Sequence, residues 1–395
     1  MIDLNSRIER LYPELVAIRR DFHSHPELGE KEFYTSEKIH EYLERWGISH
    51  ETGIADTGVV GIIYGKKSDS DSKTVALRAD MDALPITEHA SSPYASQTPG
   101  IMHACGHDAH MTIQLGAAKI LKEMEDILPG NIKLLFQPAE ETIGGARRMV
   151  TAGCMKHPKV DYVIGLHMTP VYETGHVELK YGKLNASSDH ITIEIYGKSA
   201  HGAYPENGID AIVIAASVIS ALQSLVSRNI SPLNHAVLSF GTIEGGKAGN
   251  IICDHVTLHG TLRTTDKQTR DFAIETIKRQ AKHISIGYGG NAEVSIHSGY
   301  EALINCEEIV TVIADTAKRV FGESCLRYKE FPSLGVEDFS FFLEEAKGAF
   351  YHLGCGNIEK GIQSPLHSNT FDIDEECLKI GVRLQLEIVL ALLNF

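Results

Sequence analysis

Ser188-Asp189-His190-Ile191-Thr192-Ile193-Glu194-Ile195-Tyr196 opens a change of rhythm in the chain. Ile191, Ile193 and Ile195 alternate with polar residues, which places them on one face of a half-buried strand. Downstream, residues 209–227 read as a long helix, 237–242 and 256–263 as strands, 267–284 as a helix and 292–296 as a strand. The order β-α-β-β-α-β is the split, ferredoxin-like pattern, and it is complete within about 110 residues.

Upstream the rhythm is different. Leu4, Ile8, Leu11, Leu15, Ile18 and Phe22 recur at spacings of four and three, one face of an amphipathic helix. A second helix stops at Gly47. Apolar runs at 59–64, 74–77, 132–136 and 162–166 read as strands, with helices at 111–124 and 145–151 between them. Such alternation predicts an α/β layer structure with a central mixed sheet flanked by helices. Helices and strands resume after residue 298 and end in a helix at 378–393. The predicted organisation is a catalytic α/β domain in two segments, 1–186 and 299–395, interrupted by an α+β lid domain at 187–298.

Composition narrows the function. The chain has 395 residues, of which 43% are hydrophobic and 23% charged, as in a soluble globular protein. Lys and Arg number 37 against 52 Asp and Glu, a net charge of −15 that argues against nucleic acid or an anionic membrane as the partner. Residues 1–30 carry charges throughout and no apolar h-region. The apolar stretch 211–222 is too short to span a bilayer and is interrupted by Ser217 and Ser220. The seven cysteines are odd in number, scattered and without a C-x-x-C pair, which suits a reducing compartment. The expected location is the cytoplasm.

Five clusters could carry chemistry. Met102-His103-Ala104-Cys105-Gly106-His107-Asp108-Ala109-His110 packs a thiol, imidazoles and a carboxylate ahead of a helix, donors suited to zinc and similar cations. Its alternative is a capping loop with Asp108 as the cap. Gln137-Pro138-Ala139-Glu140-Glu141 follows a strand, where two carboxylates can divide metal binding from proton transfer; its alternative is an acidic helix N-terminus. His167 follows another strand, and His367 lies in Ser364-Pro365-Leu366-His367-Ser368-Asn369. Arg78-Ala79-Asp80-Met81-Asp82 ends a third strand and could be only a salt-bridged turn. Three of the five follow strands, so they converge on one sheet edge with donors enough for two metal ions.

At these residues the chain resembles the M20 metallopeptidases, in particular their aminoacylase-like amidohydrolase branch. The matching segments are HSHPELGEKEF (23–33), LRADMDALPITE (77–88), MHACGHDAHMT (102–112), FQPAEETIGGARRMV (136–150), GLHMTP (165–170), SSDHITIEIYGKSAHGAYPENGIDAI (187–212), GTIEGGKAGNII (241–252), LRTTD (262–266), GVEDFSFF (335–342) and PLHSNTF (365–371). The resemblance implies hydrolysis of N-acyl or N-aroyl amino acids, with dipeptides or other peptides as the alternative substrates. It implies two divalent metal ions, zinc or manganese, with cobalt or nickel as further options, held by Cys105, His107, Glu141, His167 and His367. Glu140 takes the general-base position and His201 that of the oxyanion-stabilising histidine, in its own or a partner's site. Asn250 and Arg263 match the residues that hold the substrate carboxylate. A homodimer through the lid is also implied.

The better-known M20 pattern has His-x-Asp where this chain has Asp80-Met81-Asp82. Asp82 is read as supporting a ligand, Asp80 as structural, and the six cysteines other than Cys105 as buried core. Two other readings compete: Cys105 as a covalent nucleophile, and a binding protein without activity.

Overall fold

The structure, a computed structural model, describes residues 3–69, 71–89 and 92–394. The chain forms two compact units, one from Met1–Gly182, Ile304–Glu330 and Asp338–Phe395, the other from Lys183–Leu303 and Phe331–Glu337.

The larger unit is built on a mixed eight-stranded sheet. Its order is Ser49–Ile54, Gly58–Ile63, Asn131–Gln137, Thr74–Asp80, Tyr162–Glu173, Lys347–Gly356, Val177–Leu179 and Leu326–Tyr328. Asn131–Gln137, Thr74–Asp80, Tyr162–Glu173 and Lys347–Gly356 run parallel to one another. The first two are buried along their whole length, as expected for parallel strands covered on both faces. Helices Leu4–Ser24, His107–Glu123 and Glu376–Leu392 pack against one another. Gly116 permits that approach, because a Cβ there would meet Leu15 Cδ2 and Val382 Cγ2, each at 2.7 Å.

Lys347–Gly356 is a central strand that the sequence reading left unassigned. The strand 162–166 is also longer than read and runs through to Glu173.

In the smaller unit the sheet order is Asn291–Ser298, Asp189–Tyr196, His255–Thr264, Ala236–Gly245, with every neighbour antiparallel. Helices Ala211–Ser224 and Lys267–Gly287 complete the ferredoxin-like order. Ile191, Ile193 and Ile195 are buried with Ile214, Val218, Leu222 and Ile277. Asp210 and Asp266 cap the two helices through their carboxylates.

Three details differ from expectation. Residues 331–337 belong to the smaller unit, because Ala186 N–H donates to Ser333 O (3.0 Å) and Ser333 N–H to Leu184 O (2.8 Å). Cys306 is half-buried, not core, since it stands at the N-cap of the helix Glu307–Phe321. The helical run Ala211–Asn229 outlasts the apolar stretch 211–222 and is long and apolar enough to cross a membrane by length and composition; 33% of its window is buried, on the side that packs in the smaller unit.

Candidate metal centre

The parallel strands of the larger unit end on one edge, and their C-terminal ends set out the site. Thr74–Asp80 leads into Asp82, Asn131–Gln137 into Glu140 and Glu141, and Tyr162–Glu173 carries His167. Gly106, at φ +86°, turns the chain into the helix that begins at His107, and a Cβ there would meet Met168 at 3.0 Å. His367 adopts φ +61° and is tied back by its N–H to Ala104 O at 2.8 Å.

These elements gather Cys105, His107, Glu140, Glu141, His167 and His367. Cys105 Sγ lies 3.4 Å from His167 Nε2 and 3.2 Å from His367 Nε2. His367 Nε2 is 3.1 Å from Glu141 Oε1. Among the described residues five sets have donor atoms within 4.8 Å of one another, and three of them draw only on these six: Cys105, His107 and His167; Cys105, Glu141 and His367; His107, Glu140 and Glu141. A donor set mixing thiol, imidazole and carboxylate suits a divalent transition metal.

Hydrogen bonding at the far side of each ring assigns the free nitrogens. His107 Nδ1 is 2.8 Å from Asp82 O, and His167 Nδ1 is 2.7 Å from Met168 O, so both donate there. That commits each Nδ1 and turns each Nε2 toward the cluster, as metal-ligating histidines require. His107 Nε2 is buried with no hydrogen-bond partner, 3.6 Å from Asp80 Oδ2, an orphaned donor atom that a cation would satisfy. His110 differs: Nδ1 is 2.6 Å from Asp80 Oδ1, and Nε2 accepts the Met168 N–H at 2.8 Å. Both of its nitrogens are spent on the protein. His103 is buried, and burial pushes its pKa down to about 3.

The electrostatics ask for positive charge. Burial, then the charges of Glu141 and Glu140, push the Cys105 thiol well above its ordinary value. That disfavours a thiolate nucleophile in the absence of a cation. Burial opposes the charge of His107, yet Asp80 and Asp82 push its pKa up to about 10. The acidic surroundings of His107 thus favour positive charge at this position.

Beneath the cluster lies a network that the sequence reading missed. Arg78, fully buried, donates to Asp80 Oδ2 at 2.7 Å, to Asp338 Oδ1 at 3.0 Å and to Gln137 Oε1 at 2.8 Å. Gln137 and the Ala146 N–H both donate to Asp338. The 78–82 turn is thus salt-bridged and also underpins the site, and Asp80 anchors His110. Asp82 accepts from His107 at its carbonyl and from the Glu141 N–H at Oδ2, 2.9 Å away, so it holds two of the candidate donors. The signal for Asp338 was a charged pair within the apolar segment GVEDFSFF.

His201, Asn250 and Arg263 lie in the smaller unit. Gly202 N–H donates to Asn250 O at 2.7 Å, which sets His201 and Asn250 on neighbouring segments. Both are exposed. The Ala203 N–H donates to His201 Nδ1 at 3.0 Å, so Nε2 keeps its proton as a donor. Arg263 projects from His255–Thr264 and donates to Thr261 Oγ1 and Leu262 O.

A family model, peptidase family M20/M25/M40, matches residues 76–391. The chain belongs to this family. Among M20 relatives, N-acetyl-L-cysteine deacetylase of Bacillus subtilis is 41% identical, over 94% of this chain and 86% of that one. Hippurate hydrolase of Campylobacter jejuni is 38% identical, over 95% of this chain and 96% of that one. A solved dinuclear metal-binding M20 peptidase of Bacillus subtilis superposes with a TM-score of 0.84 at 32% identity, covering 98% of this chain and 99% of that one. This M20 chain is accordingly a metal-dependent hydrolase with a catalytic α/β domain and a smaller inserted domain.

Proposed function

We propose that the protein hydrolyses the amide bond of N-acyl or N-aroyl amino acids, releasing a carboxylate and a free amino acid. The observation that carries this reading is the convergence of His107 Nε2, His167 Nε2, Cys105 Sγ and Glu141 beside Glu140. Relatives that act on N-acetylcysteine and hippurate over nearly the whole length support the substrate class.

Cys105, His107, Glu141, His167 and His367 would hold two divalent cations. Cations bound by these donors polarise an amide carbonyl and acidify water. Glu140, a carboxylate at the edge of the donor cluster, would take a proton from the attacking water and pass it to the leaving nitrogen. His201, donating from Nε2, would steady the negative charge that grows on the carbonyl oxygen. Asn250 and the Arg263 guanidinium would bind the free α-carboxylate, which a guanidinium matches with two parallel hydrogen bonds. The soft thiolate favours zinc and the carboxylates tolerate manganese, with cobalt or nickel as further options.

Two further readings complete the proposal. The protein forms a homodimer through the smaller unit, whose strand Ala236–Gly245 is a sheet edge and whose Ile212 and Val213 are each 47% exposed. It works in the cytoplasm, in keeping with seven free cysteines.

The test is a panel of acetyl, benzoyl and longer acyl amino acids beside dipeptides, with metal analysis of the purified protein. Turnover of acyl amino acids in preference to dipeptides, with close to two cations per chain, is the expected result. Exclusive dipeptide cleavage would move the reading to a peptidase, and full activity in metal-free protein would remove the metal role.

A further inference from the structure

Ala139, the residue before Glu140, has φ +56°. An L-residue with a side chain avoids this left-handed region, so something outside the turn must hold it there. The surroundings show what does. The Ala139 N–H donates to Glu32 Oε1 at 2.8 Å, and Glu32 Oε2 accepts from Thr57 Oγ1 at 2.6 Å. Ala139 O in turn accepts the Gly144 N–H at 3.0 Å. Glu32 and Ala139 are both fully buried. Among the described residues no Lys, Arg or His lies within ion-pair distance of Glu32.

A buried carboxylate without a cationic partner is costly to keep. Glu32 spends its two oxygens on the glutamate turn and on Thr57, which fixes the carboxylate that grips that turn. The contact is also close-packed: a Cβ on Gly29 would sit 2.5 Å from Thr142 Oγ1 and 3.1 Å from Ala139 Cα. Residues 29–32 thus form the seat on which residues 139–142 rest.

We propose that Glu32 is a positioning residue for catalysis, holding Ala139 in the left-handed conformation that directs Glu140 toward the donor cluster. The proposal rests on the reading of Glu140 as the general base. It assigns to the HPELGEKEF segment a role in the turnover step, separate from metal and substrate binding. The Asp82 carboxylate, on the Glu141 N–H, fixes the other end of the same turn.

The test measures kcat, KM, metal content and melting temperature for three variants. Glu32→Ala should lower kcat by about 10²-fold, the scale of a misplaced catalytic group, while metal content and KM stay near their original values. Glu32→Gln keeps an acceptor for the Ala139 N–H and should recover most of kcat. Ala139→Gly placed on Glu32→Ala should restore about tenfold, because glycine holds the left-handed region without help. If Glu32→Ala does not accumulate as folded protein, Ala139→Val tests the same backbone, since a β-branched side chain opposes positive φ and must lower kcat. The proposal is overturned if Glu32→Ala lowers only the melting temperature or metal content, or if glycine at 139 restores nothing. Glu140→Gln, assayed in parallel, separates the two readings. Turnover surviving in that variant removes the base assignment, whereas its loss beside an intact kcat in Glu32→Ala removes the positioning role alone.

Discussion

His110 Nδ1 lies 2.6 Å from Asp80 Oδ1, and this one bond divides the histidines of the cluster into two kinds. With Nε2 receiving the Met168 N–H, His110 is spent as a brace, while His107 and His167 spend only Nδ1 on backbone carbonyls and leave Nε2 facing the donor cluster. The brace acts on the peptide next to His167. Replacing His110 with Ala should therefore weaken metal affinity by about 10–100-fold without removing a ligand. Competition titration against a chromophoric chelator measures this, and an unchanged affinity would show that His167 needs no such support.

Glu140→Gln should reduce kcat by about 10²–10⁴-fold and leave the metal content unchanged. Metal analysis beside steady-state kinetics checks both parts. Loss of metal would mean that Glu140 and Glu141 hold each other's assigned roles.

Prolonged dialysis against a chelator should abolish activity, and Zn²⁺ or Mn²⁺ should restore it. Uptake should also be pH-dependent. The His107 pKa is raised to about 10 in the metal-free site, so that its proton must leave when a cation arrives. Affinity is therefore expected to rise as pH rises between about 6 and 8, with proton release seen by calorimetry in buffers of different ionisation enthalpy.

Arg270 binds Asp189 through two parallel bonds, Nε to Oδ2 at 2.9 Å and Nη2 to Oδ1 at 2.8 Å. Both side chains are buried in the smaller unit. Arg270→Met leaves Asp189 as an uncompensated buried charge and should cost about 3–5 kcal/mol. Denaturant unfolding would read the change, and a loss below about 1 kcal/mol would equate the pair with an exposed salt bridge.

Arg263→Ala should raise KM for substrates with a free α-carboxylate by about tenfold or more and spare the corresponding amides. Equal effects on both would detach Arg263 from carboxylate recognition.

Much of this was legible in the sequence, for identifiable reasons. Alternation at Ile191, Ile193 and Ile195 and the periodicity from Leu4 to Phe22 reflect one-sided burial, which the order of apolar and polar residues records directly. The candidate donor cluster was legible because thiol, imidazole and carboxylate rarely crowd together in short stretches at strand and helix ends without a use. Glu32, His110 and Asp338 were not, because their partners lie far off in the chain: Ala139, Met168 and Arg78 respectively. The strand Lys347–Gly356 was missed because Gly348, Gly354 and Gly356 interrupt its apolar run. Those glycines follow from close backbone approach, as where a Cβ on Gly348 would lie 2.2 Å from Val163 O.

That strand also bears on how the chain is born. Lys347–Gly356 inserts between Tyr162–Glu173 and Val177–Leu179, in the middle of the sheet. All segments of the smaller unit precede residue 338, so a nascent chain that has emerged as far as that residue holds the smaller unit whole. The larger unit at that moment lacks an interior strand and displays two raw edges, open to unwanted pairing. His367 has not yet emerged either. Emergence of residues 347–367 thus closes the sheet and brings in the last of the candidate donors within one short stretch of synthesis.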